Sequence, residues 1–225
     1  MKRFAAMLAL LFAASLAFAI QPAETWTLGA TDKYTQASTA SYVTEGGNVT
    51  YGNLSGNVST EKWAGFWGNV SGTIVLAPGA NSPMFYTWPW TPADGGEVCA
   101  IAASSGFVWA AVEAVTGSEI DTVWGFDVLN TDSASNTLTD ASCNLIVAGT
   151  TVAPSAGVTT NGGTFETCAV ADAAVPAWKD DIAFCVNITQ GGALFNSLTG
   201  DYQLLAAANE TDAQYETYNF WLELD

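Results

Sequence analysis

Short apolar and β-branched runs alternate along this chain with turns rich in Gly, Pro, Ser and Asn. About ten such runs follow one another at close spacing, and no segment keeps a helical period. Many short strands joined by turn residues are typical of antiparallel β proteins. The pattern therefore predicts an all-β fold, an antiparallel β-sandwich or jelly-roll-like single domain over residues 43–225.

The predicted strands differ in length but share strand-forming residues bounded by turn formers. They cover residues 43–76 (several strands broken by Gly), 84–90, 98–103, 107–115, 122–128, 143–152, 164–170, 182–189, 202–206 and 218–224. Residues 132–141 are interpreted as a polar loop that holds at most one short helix. In the last run, four apolar side chains fall on one face: Tyr218, Phe220, Leu222 and Leu224. This terminal strand is interpreted as an exposed edge available for assembly, and the alternative is that it closes the protein's own sandwich.

The first nineteen residues have the pattern of a secretory signal peptide. Lys2 and Arg3 precede an apolar run at 5–18, and Ala17-Phe18-Ala19 is a small-residue cleavage site. The alternative is an uncleaved membrane anchor. Residues 20–42 have mixed polarity and are interpreted as an N-terminal arm or an edge strand. No later run is long enough to span a membrane, so we expect an extracellular or cell-surface protein with no membrane span after cleavage.

Charge excludes several classes of partner. Without the signal peptide, Lys33, Lys62 and Lys179 face 22 acidic residues, a net charge of −19. Such a field repels nucleic acid and anionic lipid. Charged residues make up only 12% of the chain and hydrophobic residues 49%. This combination favours a well-packed protein that associates with itself or with other surface proteins.

The cysteines number four, and in an exported chain an even number predicts disulfides. Three pairings are possible. We favour Cys168–Cys185, because both lie in strand-like runs on either side of a turn-rich segment at 172–181, which leaves Cys99–Cys143. A metal site is the weaker interpretation, since the chain has no CxxC motif and no His.

Six N-x-S/T triplets are candidates for N-glycosylation, and four of them lie within 22 residues. They begin at Asn48, Asn53, Asn57, Asn69, Asn187 and Asn209. The alternative is that these Asn residues serve only strand and turn geometry.

Aromatic residues are abundant, and four tryptophans lie close together in the sequence at Trp63, Trp67, Trp88 and Trp90. An exposed indole matches the C–H face of a pyranose, so these residues are a candidate carbohydrate-binding platform. The alternative is that they fill the wide core of a β-sandwich.

Enzymatic chemistry has little support. Without His, there is no Ser-His-Asp triad and no Cys-His pair. A glycosidase carboxylate pair would have to come from Glu97, Glu113, Glu119, Asp121 and Asp127, but carboxylates are common in any acidic chain. We predict no enzyme and no cofactor. Structural calcium is possible at loop carboxylates: Asp132, Asp140, Asp172, Asp180, Asp181 and Asp201.

Several segments, in the same order over most of the mature chain, resemble a group of secreted archaeal surface proteins with a W-x-G-F-Y/W-G-N-V-S/T-G block and an aromatic C-terminal strand. They are the block at 60–72, TEKWAGFWGNVSG, the aromatic strand that ends at Trp88, and the closing segments 201–205, DYQLL, and 217–224, TYNFWLEL. Trp67 stands where the group more often has Tyr, and Asn219 and Trp221 interrupt its aromatic run. The resemblance implies an archaeal cell exterior but no reaction, and it assigns no functional residues.

These observations lead to one expected function and one alternative. We expect a secreted, N-glycosylated structural protein that self-assembles as a surface-layer-associated or filament subunit. Sheet edges add strands readily, so one subunit's arm would complete a neighbour's sheet. The alternative is a carbohydrate-binding module of the cell exterior.

Overall fold

The protein is described here from a computed structural model, which covers residues 20–35, 38–79, 82–102, 106–208 and 215–225. The strands are β1 (Gln21–Pro22), β2 (Trp63–Gly68), β3 (Thr73–Leu76), β4 (Tyr86–Pro89), β5 (Gly96–Ala102), β6 (Glu113–Ala114), β7 (Asp140–Val147), β8 (Thr150–Thr159), β9 (Glu166–Ala171), β10 (Ile182–Asn187), β11 (Gly192–Ala193), β12 (Thr199–Gly200), β13 (Tyr202–Ala207) and β14 (Tyr218–Leu224). Two helices are α1 (Gly117–Trp124) and α2 (Ala134–Thr137), and 3-10 turns lie at Trp109–Ala111 and Lys179–Asp181. None of these helices is long and apolar enough to span a membrane in the described part of the chain.

The all-β prediction is confirmed: the strands form antiparallel sheets. Eight strands make one sheet in the order β1-β14-β5-β10-β9-β8-β7, with β6 beside β9. The other strands form three two-stranded sheets, β13-β2, β3-β4 and β11-β12. The two-sheet sandwich itself is not confirmed, since the sheets are so unequal in size.

The middle of the large sheet is buried on both faces, which is why β5, β9 and β10 appear in the sequence as continuous apolar runs. Alternate residues divide between two clusters. In β10, for example, Ile182 and Phe184 belong to a large core cluster, whereas Ala183 and Cys185 belong to a second cluster. Because the second cluster contains all four cysteines, we call it the disulfide core.

Each cluster is closed by a different part of the chain. Leu204 and Ala206 of β13, with Ile120 and Trp124 of α1, complete the large core cluster. Leu145, Val147 and Val152 of the β7–β8 hairpin, with Phe107, complete the disulfide core. The four residues predicted to share one face, Tyr218, Phe220, Leu222 and Leu224, all pack on the large core cluster, so the last strand closes the protein's own core.

Both disulfide pairings expected from the sequence are wrong. The bonds are Cys99–Cys185 and Cys143–Cys168, with Cα–Cα distances of 4.1 Å and 5.8 Å. Cys185 does lie opposite Cys168 across β9–β10, as the hairpin argument required, but it also lies opposite Cys99 on β5. Cys185 lies between Cys99 and Cys168 but can bond only one of them. Because it bonds Cys99, Cys168 is available to bond Cys143. That bond passes Gly157 of β8, where a Cβ would lie 2.7 Å from the Cys143 sulfur.

Two strand predictions between residues 107 and 128 are wrong. Residues 117–124 form helix α1, whose capping box joins the Thr116 side chain to the Glu119 amide and the Glu119 carboxylate to the Thr116 amide. Gly125 ends the helix at φ 73°. The run at 107–115 holds the Trp109–Ala111 3-10 turn and only two strand residues, in β6. Thr116-x-x-Glu119 followed by Gly125 was the signal available in the sequence.

The strand prediction for residues 43–76 is only partly correct. No strand occurs in residues 43–62, and residues 63–76 are divided into β2 and β3. The division has a specific cause: the buried Asp201 carboxylate accepts a hydrogen bond from the Val70 amide at 3.0 Å and ties that residue to another loop. Residues 132–141 contain the short helix α2, as expected.

Candidate interaction surfaces

The N-terminal arm, residues 20–42, is held to the body at its first residues. Ile20 is buried in the disulfide core, and Gln21–Pro22 pairs with Leu222 and Trp221 of β14. The Ala23 amide donates to the Phe220 carbonyl at 2.9 Å. The arm therefore crosses the edge of the large sheet, with Ile20 on one side of β14.

Trp26 lies on the other side of that edge, where β14 approaches β2. Its ring centroid is 4.1 Å from that of Phe220 and 6.0 Å from that of Phe66. Phe66 in turn lies 5.3 Å from Tyr218 and 5.1 Å from Phe220. We call the site formed by Phe66, Tyr218 and Phe220 the β2/β14 slot.

The slot is apolar and incompletely filled. Its three rings are half-buried, and 45% of Trp26 remains exposed. A cleft of about 370 Å³ runs beside Trp26 between the arm and β14. The Tyr218 hydroxyl donates to the Ala207 carbonyl, and burial, together with Glu216, raises the pKa of Tyr218. The slot therefore presents ring faces and edges without an ionised group.

Two stretches beyond Trp26 are exposed over their whole length. They are residues 27–35 and 38–58, and they contain large apolar side chains. These are Leu28, Tyr34, Tyr42, Val43, Val49, Tyr51, Leu54 and Val58, and Val49 is fully exposed. So many large apolar side chains in solvent are unusual for a chain that acts alone.

The β3–β4 hairpin is a second exposed apolar surface. Its strands pair only with each other in the described part of the chain, and every residue in them is exposed. Phe85, at the start of β4, is 82% exposed. No charged residue occurs between Lys62 and Asp94, so this surface is neutral in a strongly acidic protein.

The four candidate tryptophans do not form one platform. Trp63 packs on Phe126 and Phe184 and donates to the Asp132 carbonyl at 2.8 Å, and Trp90 is buried. Only Trp67 and Trp88 are exposed, each by 44%. They have different aromatic neighbours, because Trp67 contacts Phe195 and Trp88 contacts Tyr86.

Five of the six candidate glycosylation residues are exposed: Asn48, Asn53, Asn57, Asn69 and Asn187. Asn209 lies outside the described residues. Three of the five, Asn48, Asn53 and Asn57, belong to the segment that joins the arm to β2. Glycans are therefore sterically possible at these five positions.

Three of the six loop aspartates proposed for calcium accept hydrogen bonds from backbone amides. Asp201 accepts from Val70 and Gly191, Asp181 from Ala177 and Trp178, and Asp172 from Val108.

The other three aspartates have different surroundings. Asp132 pairs with Lys62 at 2.8 Å, and that hydrogen bond lowers the pKa of Asp132. Asp140 lies beside Glu166; burial raises the pKa of Glu166, and the charge of Asp140 adds to the effect. Asp180 lies in the 3-10 turn Lys179–Asp181. Calcium binding stays a prediction.

One cluster of ligand atoms, Cys143, Glu166 and Cys168, is compact enough to surround a metal ion. Its two sulfurs are joined to each other in a disulfide. A disulfide sulfur has no thiolate charge, so the cluster does not have the chemistry of a metal site.

Two buried carboxylates escaped the sequence analysis as a pair. Glu97 and Glu223 lie directly opposite each other on β5 and β14, and both are buried. Burial raises the pKa of Glu97 to about 8, and the negative charges of Glu223 and Asp225 add to the effect. Glu223 accepts from the Ala148 amide at 2.6 Å, while burial raises its pKa. Only the cross-strand register reveals this pair.

The other carboxylates considered for glycoside hydrolysis do not join Glu97. Glu119 caps α1, and Asp121 accepts hydrogen bonds from the Ala134 and Ser135 amides at 2.6 and 3.0 Å. Glu113 lies in β6, and Asp127 accepts from the Leu129 amide. At least two of these carboxylates, Glu119 and Asp121, therefore stabilise local structure.

The sequence reveals little of the β2/β14 slot because its parts are far apart. Phe66 and Phe220 are separated by most of the chain, and Trp26 precedes both. The recurring aromatic residues at 218 and 220 were the available signal, and they indicated one face of a strand without indicating what contacts it.

Comparisons with protein-family models, with curated proteins and with solved structures found no match.

Proposed function

We propose that this protein is a secreted, N-glycosylated structural component of a cell exterior, a subunit that self-assembles into a surface layer or filament. The observation that carries the proposal is the pair of exposed stretches 27–35 and 38–58, which form no helix or strand and carry large apolar side chains. Exposed apolar segments of this kind are typical of interaction sites, and extended segments associate by adding to a sheet.

The distribution of charge supports self-association. Copies that each carry a strong negative charge repel one another wherever charged surfaces meet. The β3–β4 hairpin offers a neutral surface on which copies can approach without that cost. Its exposed Ile74, Leu76 and Phe85 provide apolar area to bury.

Further features support a place outside the cell. Two buried disulfides stabilise chains in oxidising compartments, and they agree with the predicted signal peptide. The exposed sequons are accessible to a glycosyltransferase. The resemblance at 60–72 and 217–224 favours an archaeal host. The proposal includes no enzymatic step.

Carbohydrate binding is the alternative, and its support is narrower. Of the four candidate tryptophans, Trp88 offers the best remaining surface, because it lies 4.8 Å from Tyr86 on the exposed hairpin. Glycan-array binding that is lost in Trp88→Ala would favour the alternative.

The test is electron microscopy and light scattering of the secreted protein, purified without denaturant. We expect regular filaments or sheets above a critical concentration. Uniform monomers over the whole concentration range, with and without calcium, would overturn the proposal. Glycopeptide mapping of the same preparation checks which sequons carry glycans.

A further inference from the structure

We propose that the β2/β14 slot is the receptor for the N-terminal arm of a second copy, so that copies are joined by exchange of the arm. This inference rests on the proposed self-assembly and names its contact. In the isolated chain the slot is occupied by the chain's own Trp26. In the assembly, the same place is taken by Trp26 of the next copy.

The attachment of the arm is small enough to exchange. β1 pairs with only two of the seven residues of β14, and one further backbone bond joins Ala23 to Phe220. Besides these, Ile20 and Trp26 supply the apolar contacts. If the signal peptide is cleaved after Ala19 as predicted, Ile20 is the first residue. The arm then has a free end beside β14, so it can leave and pair again without threading a loop.

The arm has the residue pattern of a strand beyond its present contacts. Trp26, Leu28 and Ala30 alternate with Thr25, Thr27 and Thr31, and no residue from 25 to 31 is charged. In an edge strand such alternation puts apolar side chains on one face. Leu28 is nevertheless 73% exposed, although the adjoining cleft has about 370 Å³ of space. The arm and the slot are thus both apolar, but only part of the arm's apolar face contacts the body.

The length of the connection allows exchange without strain. Residues 27–62 contain no strand where they are described, and a fully extended chain of that length reaches on the order of 100 Å. A neighbouring body of this size has a radius of gyration of about 16 Å. The tether gives the arm a limited effective concentration at its own slot, which falls as the loop lengthens, so exchange becomes favourable at high protein concentration.

The position of the sequons is consistent with this arrangement. Residues 43–62 join the arm to β2, and we call them the connecting segment. This segment carries Asn48, Asn53 and Asn57, whereas the arm itself has no N-x-S/T triplet. Glycans would therefore project from the chain between two bodies. The apolar rings of the slot would stay free of them.

A double-cysteine variant tests the exchange. Gln21 and Leu222 are directly opposite in β1 and β14, so Gln21→Cys with Leu222→Cys forms a disulfide between whichever arm and body are paired. We expect polymers oxidised after assembly to give a ladder of covalent oligomers on a non-reducing denaturing gel. Cross-linked monomers from intact polymers would overturn the inference and leave the proposed self-assembly standing.

The matched control is a cysteine pair that never leaves its own chain. Gly65 and Leu205 are opposite in β2 and β13, so Gly65→Cys with Leu205→Cys should give monomers only, in every state. If the unaltered protein forms no polymer at all, the proposed function itself fails, which is a separate result.

A single substitution provides a second, independent test. Leu28 is 73% exposed in the isolated chain, and we place it in the cleft beside the slot when the arm is exchanged. Leu28→Ala therefore removes a contact of the exchanged arm only, and we expect the critical concentration for assembly to rise about tenfold. The control is Tyr51→Ala, an exposed aromatic outside the arm, which should change the critical concentration less than about twofold. An unchanged critical concentration in Leu28→Ala would overturn the inference.

Discussion

At the scale of single residues, the buried carboxylates of this acidic chain are stabilised to different degrees. Asp201 and Asp121 are buried, but each accepts hydrogen bonds from two backbone amides, so these donors offset its negative charge. Glu97 differs, because its Oε2 is buried and has no hydrogen-bond partner among the residues that the structure describes. A carboxyl group in that position favours its protonated form. Glu97 is therefore a residue at which pH acts on stability.

We predict that stability falls as pH rises from about 5 to 8. The pKa of Glu97 is 4.5 in the unfolded reference and about 8 in the folded protein. The folded state holds this proton more tightly, so its contribution is fully present below 4.5 and is lost as pH rises towards 8. In Glu97→Gln the decline should be smaller, as measured by urea unfolding at both pH values. The exposed Glu24→Gln is the control, and equal slopes in Glu97→Gln and the unaltered protein would contradict the prediction.

At the scale of elements, packing decides where strands and disulfides lie. The Cys143–Cys168 bond joins β7 to β9 and passes the intervening β8 at Gly157. The bond is compatible with a strand in between only because residue 157 has no side chain. A glycine that looks like a strand breaker in the sequence is thus a packing requirement.

Gly157→Ala tests that requirement. The added methyl group would lie 2.7 Å from the Cys143 sulfur and 3.1 Å from the Thr167 carbonyl oxygen. We expect a loss of about 1–3 kcal/mol in the free energy of unfolding, as for overpacking in a core. Urea denaturation measures it. Gly65→Ala, a strand position with open space around its Cβ, is the control. A loss no larger than that of the control would refute the account.

At the scale of the whole molecule, two buried core clusters are combined with exposed segments that are also apolar. The large core cluster and the disulfide core account for the buried apolar residues, while the connecting segment and the β3–β4 hairpin contain large apolar residues in solvent. Folding alone does not require these exposed residues. Their effect should therefore appear in association more than in stability.

Phe85→Asp separates the two effects. Phe85 is 82% exposed, so the free energy of unfolding should change by no more than about 0.5 kcal/mol. The added charge in a neutral surface should raise the critical concentration for assembly, measured by light scattering. Val175→Asp adds the same charge at another exposed apolar position and is the control. Assembly of Phe85→Asp at the unaltered concentration would place the hairpin outside the interface.

The sequence by itself determined the features that depend on near neighbours. Alternation identified the four residues of β14 that share a face, apolar runs located the strands β5, β9 and β10, and composition excluded chemistry that needs His. Helix α1 was missed despite a local signal, its capping box.

Only the tertiary structure decided which distant segments become neighbours. Cys168 and Cys185 lie opposite each other as the hairpin predicted, yet Cys99, 86 residues from Cys185, takes the bond. The same kind of long-range pairing brings Glu97 next to Glu223. It also brings Phe66, Phe220 and Trp26 together in one site. The physical reason is that alternation places a side chain on a face of its strand, whereas the identity of its partner depends on how all the strands share one limited core.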